Sequence, residues 1–227
     1  MSEVIPATAA IADAALRLGI DVRPGPVALR PAVPGAAFAG PARPVTHLGS
    51  VDVILETIDA ASPGDVLVVD NGGRMDEACV GDLVVLEALM AGLSGAVIWG
   101  LHRDTRQLIE IGLPLHSLGA LPFGPRRVPP GGSAMPVAVL DSVTVTPAYF
   151  VVGDDDGVLF FEAQHRDALF ETARQIQRNE TAQADKMRGG LSLRQQLDYA
   201  GYRARQAVDP AYTLRRHLVE RGNSIET

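Results

Sequence analysis

Lysine is nearly missing from this chain: of 20 basic residues one is lysine, Lys186, and the others are arginine. Covalent catalysis through a Schiff base would therefore have to use Lys186. It lies in the polar helical segment QADKMRGG, away from the dense α/β part of the chain, and that chemistry is disfavoured. A single cysteine, Cys79, allows no internal disulfide and fits a reducing cytoplasm. Positive charge is also scarce. Acidic residues outnumber basic ones 27 to 20, so no nucleic-acid partner is expected, because backbone binding needs clustered cations. Long apolar runs are absent too. Residues 83–101 are interrupted by Glu87, Gly92, Ser94 and Gly95 and read as core helix plus strand, with no membrane partner implied. The opening MSEVIPATAA has neither a basic stretch nor a continuous apolar one, so no secretory leader is expected.

What is present is a chain of 227 residues, 47% hydrophobic, long enough to bury a core without metals or disulfides. Apolar spacing predicts helices over residues 7–19 and 51–60, while the proline-rich stretch 22–48 reads as loops and short strands. VLVVD (66–70) predicts a buried strand, NGGRMDEACVG a loop, and LVVLEALMAG (83–92) a helix apolar all round and hence buried. Strand 96–99, helix 105–112 and strand 113–118 repeat the unit, giving βαβ crossovers and parallel strands. Residues 121–136 read as loop, 137–161 as antiparallel strands, and 163–206 as helix broken at Gly189-Gly190, with a polar helical tail.

Ligands of open α/β sheets bind beyond the carboxyl ends of parallel strands. Here that edge gathers Asp70-Asn71-Gly72-Gly73, the helix start Gly81-Asp82-Leu83-Val84, and His102-Arg103-Asp104. Free amides of Leu83 and Val84 suit a carboxylate, Arg103 can grip a planar oxyanion, and Asp82 with Asp104 are hard ligands for Mg²⁺ or Mn²⁺. A plainer reading stays open. Asp82 and Asp104 each precede a helix and can be N-caps, Asp104 and Gln107 fit a capping box, and Arg103 can be a surface ion-pair partner. Cys79 reads as a buried filler, His102 and His116 as polar packing, and Asp154-Asp155-Asp156 as a hairpin turn. No dinucleotide fingerprint or P-loop occurs, which speaks against a methyltransferase.

The segment GDLVVLEALMAGLSGAVIWGLHRD (81–104) resembles the D-x20-R-D motif of the RraA-like family, with Asp82 as its first residue and Arg103-Asp104 as its end. PGDVLVVDNGG (63–73), GLPLHSLG (112–119), VVGDDDGVLFF (151–161) and the stretch from Asn179-Glu180 to GGLSL are similar to the family as well. The resemblance implies an α/β fold, a three-layer α/β/β sandwich with a central, partly parallel sheet and C-terminal helices. It runs through most of residues 8–195, so residues 1–195 are expected to form the RraA-like domain and 196–227 a helical C-terminal extension.

The family includes divalent-metal-dependent 4-hydroxy-4-methyl-2-oxoglutarate aldolases that also decarboxylate oxaloacetate. By that resemblance Asp104 would ligate Mg²⁺ or Mn²⁺, and Asp82 would hold the water that removes a substrate's distal hydroxyl proton. Arg103 would bind a substrate oxygen, and Gly81, Leu83 and Val84 its carboxylate. Glu180 would reach the metal's waters from a neighbouring subunit of a homotrimer or a hexamer built as a dimer of trimers. The family also holds non-enzymatic regulators of a ribonuclease, the alternative function. Trp99 and His102, read as lying near the pocket, depart from the family pattern, as do Glu162 and the longer tail.

Overall fold

A computed structural model describes residues 4–47, 49–125 and 135–222. The chain opens with α1 (Thr8–Leu18), which stops at Gly19, where φ of 65° suits a residue without Cβ. Strands β1 (Arg23–Pro24), β2 (Arg30–Pro31) and β3 (Phe38–Thr46) follow, then α2 (Asp52–Asp59) and β4 (Val66–Asp70). Next come β5 (Ala78–Val80), α3 (Asp82–Met90), β6 (Gly95–Trp99), β7 (Leu101–His102), α4 (Thr105–Ile111) and β8 (Leu115–Ser117). Two antiparallel hairpins complete the β structure, β9 (Ala138–Leu140) with β10 (Val143–Val145) and β11 (Tyr149–Asp154) with β12 (Gly157–Glu162). Helices α5 (Arg166–Arg188), α6 (Leu193–Gln196), α7 (Tyr199–Val208) and α8 (Leu214–Glu220) close the described chain.

Eight strands form one mixed sheet in the order β1-β12-β11-β3-β4-β6-β8-β2. The central pairs β3–β4, β4–β6 and β6–β8 are parallel, as the crossover pattern requires, and the flanking pairs are antiparallel. Strand β4 shows how the layers arise. Leu67 and Val69 face the core under α2, α3 and α4, while Val66 and Val68 face the opposite core beneath β9 and β10. The sheet curls, so that Val151, Val158 and Phe160 of its antiparallel half join that second core. Beyond them, α1 and α5 cover the outer side of the antiparallel half through Ile11, Leu169, Phe170 and Phe161. The result is an α/β/β layering with helices outside. Each fully buried Leu, Val or Phe contributes about 1.5–3 kcal/mol to it.

Three expectations need correction. The stretch 22–48 holds a nine-residue strand, β3, despite Pro41 and Pro44. Residues 38–41 of it pair with β11 and residues 42–46 with β4, so each half keeps an unpaired edge where a missing N–H is tolerated. The supposed loop NGGRMDEACVG contains β5, which pairs in parallel with β7. Helix α3 is not buried all round: Val85 and Ala88 face the core, but Leu83, Leu86, Leu89 and Met90 are exposed. Much of the loop expected over 121–136 lies outside the described residues.

Candidate active site

The pairing of β5 with β7 assembles the cleft. Val80 sits opposite His102, and the Arg103 amide donates to the Val80 carbonyl at 3.0 Å. The residues that follow each strand, Gly81-Asp82 and Arg103-Asp104, therefore meet although 20 residues separate Asp82 from Arg103. The Asp82 amide donates to Oδ2 of Asp104 at 3.4 Å, and Nε of Arg103 lies 3.3 Å from the same oxygen. Gly81 makes this approach possible. A Cβ there would stand 2.7 Å from Oδ2 of Asp104 and 3.1 Å from Nε of Arg103. Gly124 lies on another side of the guanidinium, where an added Cβ would be 2.9 Å from Nη1.

Asp104 occupies the N-cap position of α4 but does not cap it: no side-chain cap bond forms, and the backbone is left-handed, with φ 60° and ψ 38°. A non-glycine residue held there costs on the order of 1 kcal/mol. The capping box with Gln107 is thus absent, and the carboxylate turns instead to Arg103 and the start of α3. Asp82 is the first residue of α3 rather than its cap; Gly81 holds the cap position. Oδ1 of Asp82 accepts from the Leu83 amide at 2.8 Å, so this amide, expected to receive a substrate carboxylate, is already engaged.

A cavity of about 420 Å³ opens at this junction. Gly81, Asp82, Leu83, Val84 and Arg103 line it, together with His47, Cys79 and Pro125. Asp104 is not among the lining residues but is ion-paired to Arg103, which is, and both side chains are partly exposed. Glu180 is not brought to the cleft within one chain: it is exposed on α5, which packs against α1 over the other half of the sheet.

The carboxylates here could hold a hard cation only sparsely. Among the described residues no group of three or more His, Cys, Asp or Glu gathers as a self-sufficient metal cage. Mg²⁺ needs none, since it keeps most of its waters and binds through one or two carboxylates and the substrate. Asp104, with Asp82 beside it, fits that requirement; it does not fit zinc, which takes clustered His and Cys.

Neighbouring polar residues divide clearly. His102 is buried, with Nδ1 2.7 Å from Oγ of Ser117 and Nε2 3.0 Å from Oγ1 of Thr105, and burial lowers its pKa. His116 bonds the Asp154 carbonyl at 2.9 Å through Nε2. Both are polar packing, as expected. Neither Trp99 nor His102 lines the cavity, although His102 pairs with Val80 and precedes Arg103, which do. Trp99 packs against the core under β9 and β10 with Gly73 over its ring, and His102 is turned inward between β8 and α4. Cys79 borders the cavity, but burial pushes its thiol up to about 12, and an un-ionised thiol is a poor nucleophile. The Asp154–Asp156 turn joins β11 to β12, and Asp154 also accepts from the amide and hydroxyl of Thr8.

One residue lining the cleft was not anticipated, His47; it is bonded to Asn71, which the strand-end pattern had placed at this edge. Nδ1 of His47 lies 2.8 Å from Oδ1 of Asn71, and both are buried. Each follows the carboxyl end of a parallel strand, β3 and β4. That signal was readable for Asn71 and hidden for His47, because the prolines of β3 masked the strand.

Comparison with known proteins places the chain in a family. The chain matches the RraA-like family, described as Aldolase/RraA, over residues 8–160. It is 32% identical over 124 residues to a protein of Thermus thermophilus named 4-hydroxy-4-methyl-2-oxoglutarate aldolase, covering 55% of this chain and 75% of that one. An uncharacterized Pseudomonas syringae protein superposes with a TM-score of 0.73 at 28% identity, covering 84% of this chain and 92% of that one. A Streptomyces coelicolor protein described as an unusual member of the RNase ES inhibitor RraA family superposes with a TM-score of 0.67 at 26% identity, over 82% of this chain and 93% of that one. The match runs from α1 to β12 and takes in the whole of the cleft built by β5, α3 and β7, and the chain belongs to the RraA-like family.

Proposed function

We propose that this protein is a divalent-metal-dependent lyase of small 2-oxo acids. It would cleave 4-hydroxy-2-oxo acids by a retro-aldol reaction and decarboxylate oxaloacetate, both through a pyruvate enolate. The observation that carries the reading is Asp104, held left-handed at a helix start without capping it, its carboxylate directed to Arg103 and the Asp82 amide. A residue kept in such a state without a local structural return is a mark of a working site.

Asp104 and Asp82 would hold Mg²⁺ or Mn²⁺ largely through water, with Glu180 from a neighbouring subunit. The bound cation supplies Lewis-acid polarisation of the keto oxygen. The chain's own residues do the rest. Arg103 grips the substrate's carboxylate or keto oxygen and stabilises the negative charge that grows there as the carbon–carbon bond breaks. The Val84 amide at the start of α3 faces the same anion, and the Leu83 amide joins it once released from Asp82. Asp82 orients a water for proton transfer at the enolate carbon, a step both reactions share.

The exposed apolar stripe Leu83, Leu86, Leu89 and Met90 on α3 supports assembly of copies into a trimer or a hexamer. Residues 196–227 are taken as an extension beyond the family domain. No helix among the described residues is long and apolar enough to cross a membrane.

The test is pyruvate release from oxaloacetate by purified protein with Mg²⁺, with and without chelator. Turnover that chelator abolishes is expected, and Arg103→Ala should lower it on the order of 10²-fold or more. Absent or chelator-insensitive turnover, on several 4-hydroxy-2-oxo acids as well, would overturn the reading. A second reading, a non-enzymatic regulator of a ribonuclease, is favoured by the structural likeness to an RNA-processing inhibitor from Thermus, with a TM-score of 0.59 at 26% identity. Ribonuclease capture unaffected by Asp104→Ala, in a protein without turnover, would favour it.

A further inference from the structure

We propose that His47 is the base that takes the proton from the distal hydroxyl of the substrate in aldol cleavage, and that Asn71 positions it. The assignment rests on the lyase reading above, refines the role first given to a water on Asp82, and leaves Asp82 the proton at the enolate carbon.

Nδ1 of His47 faces the carbonyl oxygen of Asn71 at 2.8 Å, an acceptor only, and with the amide in this orientation the ring proton is assigned to Nδ1. In that tautomer Nε2 presents a bare lone pair. That atom is buried and has no hydrogen-bond partner among the described residues, and His47 is only 6% exposed. Leaving such an acceptor unsatisfied costs about 1–3 kcal/mol, and native structures seldom accept this without cause. His47 lines the same cavity as Asp82, Leu83 and Arg103, and a cleft ligand is the partner proposed for Nε2.

The chemistry of that ligand follows from the lone pair, which needs a donor. An ionised 4-hydroxy-2-oxo acid offers its carboxylates and keto oxygen to Arg103 and the amides, all as acceptors. Its one O–H donor is the distal hydroxyl. Cleavage then balances: the hydroxyl proton passes to Nε2, and the oxygen's electrons form the new carbonyl at C4. The C3–C4 pair moves into the C2–C3 bond as the keto oxygen becomes an enolate, and protonation at C3 gives pyruvate. Oxaloacetate has no such hydroxyl and loses CO₂ without this proton transfer.

The dyad is rigidly mounted. The His47 amide donates to the Asp70 carbonyl at 2.8 Å and the Asn71 amide to the Trp99 carbonyl at 3.0 Å, tying both to the ends of β4 and β6. Gly100 leaves room for the Asn71 side chain, since a Cβ there would stand 2.7 Å from Cβ of Asn71.

The two reactions give the test. Full-length protein with Mg²⁺ is assayed for pyruvate release from 4-hydroxy-4-methyl-2-oxoglutarate and from oxaloacetate. In His47→Gln the ratio of cleavage to decarboxylation should fall about 100-fold, the scale of a lost general base. Should His47→Gln not fold, the pair Asn71→Leu and Asn71→Asp decides. The leucine loses the acceptor for Nδ1 and should lower the ratio, whereas the aspartate keeps it and should not. Equal loss of both reactions, or of neither, overturns the assignment while the lyase reading stands. A wild-type protein inert toward both substrates overturns the lyase reading and this assignment with it.

Discussion

Gly81→Ala separates the working geometry of the cleft from the stability of the fold. The backbone at Gly81 is extended, with φ −134° and ψ −172°, which alanine adopts without strain. The added Cβ, however, would stand 2.7 Å from Oδ2 of Asp104 and 3.1 and 3.2 Å from Nε and Cγ of Arg103. Atoms at such distances must part by several tenths of an ångström, and the carboxylate and guanidinium are the groups able to move. The structural cost is bounded by the N-cap preference of glycine over alanine, at most about 1 kcal/mol, or about 2–4 °C in melting temperature for a domain of this size. The catalytic cost is larger, because a displacement near 1 Å of a positioning group lowers turnover roughly 10²-fold. We expect Gly81→Ala to melt within about 4 °C of wild type and to retain about 1% of Mg²⁺-dependent pyruvate release from oxaloacetate. Turnover within about threefold of wild type, in a variant that is folded, would refute the claim that this approach organises the site.

Two other outcomes follow from packing. His116 is buried against Phe38, and burial lowers its pKa despite the carbonyl of Asp154. The unfolded chain thus binds the proton more readily below about pH 6.5, the usual imidazole value, and stability is complete above it and declines as pH falls toward the folded-state value. Calorimetric melting between about pH 7.5 and 5 should show this decline, flattened in a folded His116→Gln variant; a melting temperature that rises on acidification would contradict it. On α3, Leu86→Glu with Met90→Glu places charge on the exposed apolar stripe. Light scattering should report a trimer or hexamer for wild type and monomer for the double variant, whereas unchanged mass would remove this face from the interface.

Local pattern was enough for the parallel half of the sheet. VLVVD and the glycine-bounded helix and strand after it are dictated by periodicity and turn chemistry, which act within a few residues, and β4, α3 and β6 follow within one or two positions. The D-x20-R-D spacing was visible for the same reason, as a property of one continuous segment. Nearest-neighbour chemistry, in contrast, said nothing of three decisive matters. Strand β3 exists despite two prolines because each half bonds on one side only, and that pairing involves β11, more than 100 residues away. Asp104 reads as a helix cap by position, and only the approach of Gly81, set by β5 against β7, turns its carboxylate to the cleft. His47 and Asn71 are ordinary residues in sequence. They become a pair because two parallel strands end side by side, a long-range register that backbone hydrogen bonding and core burial decide together.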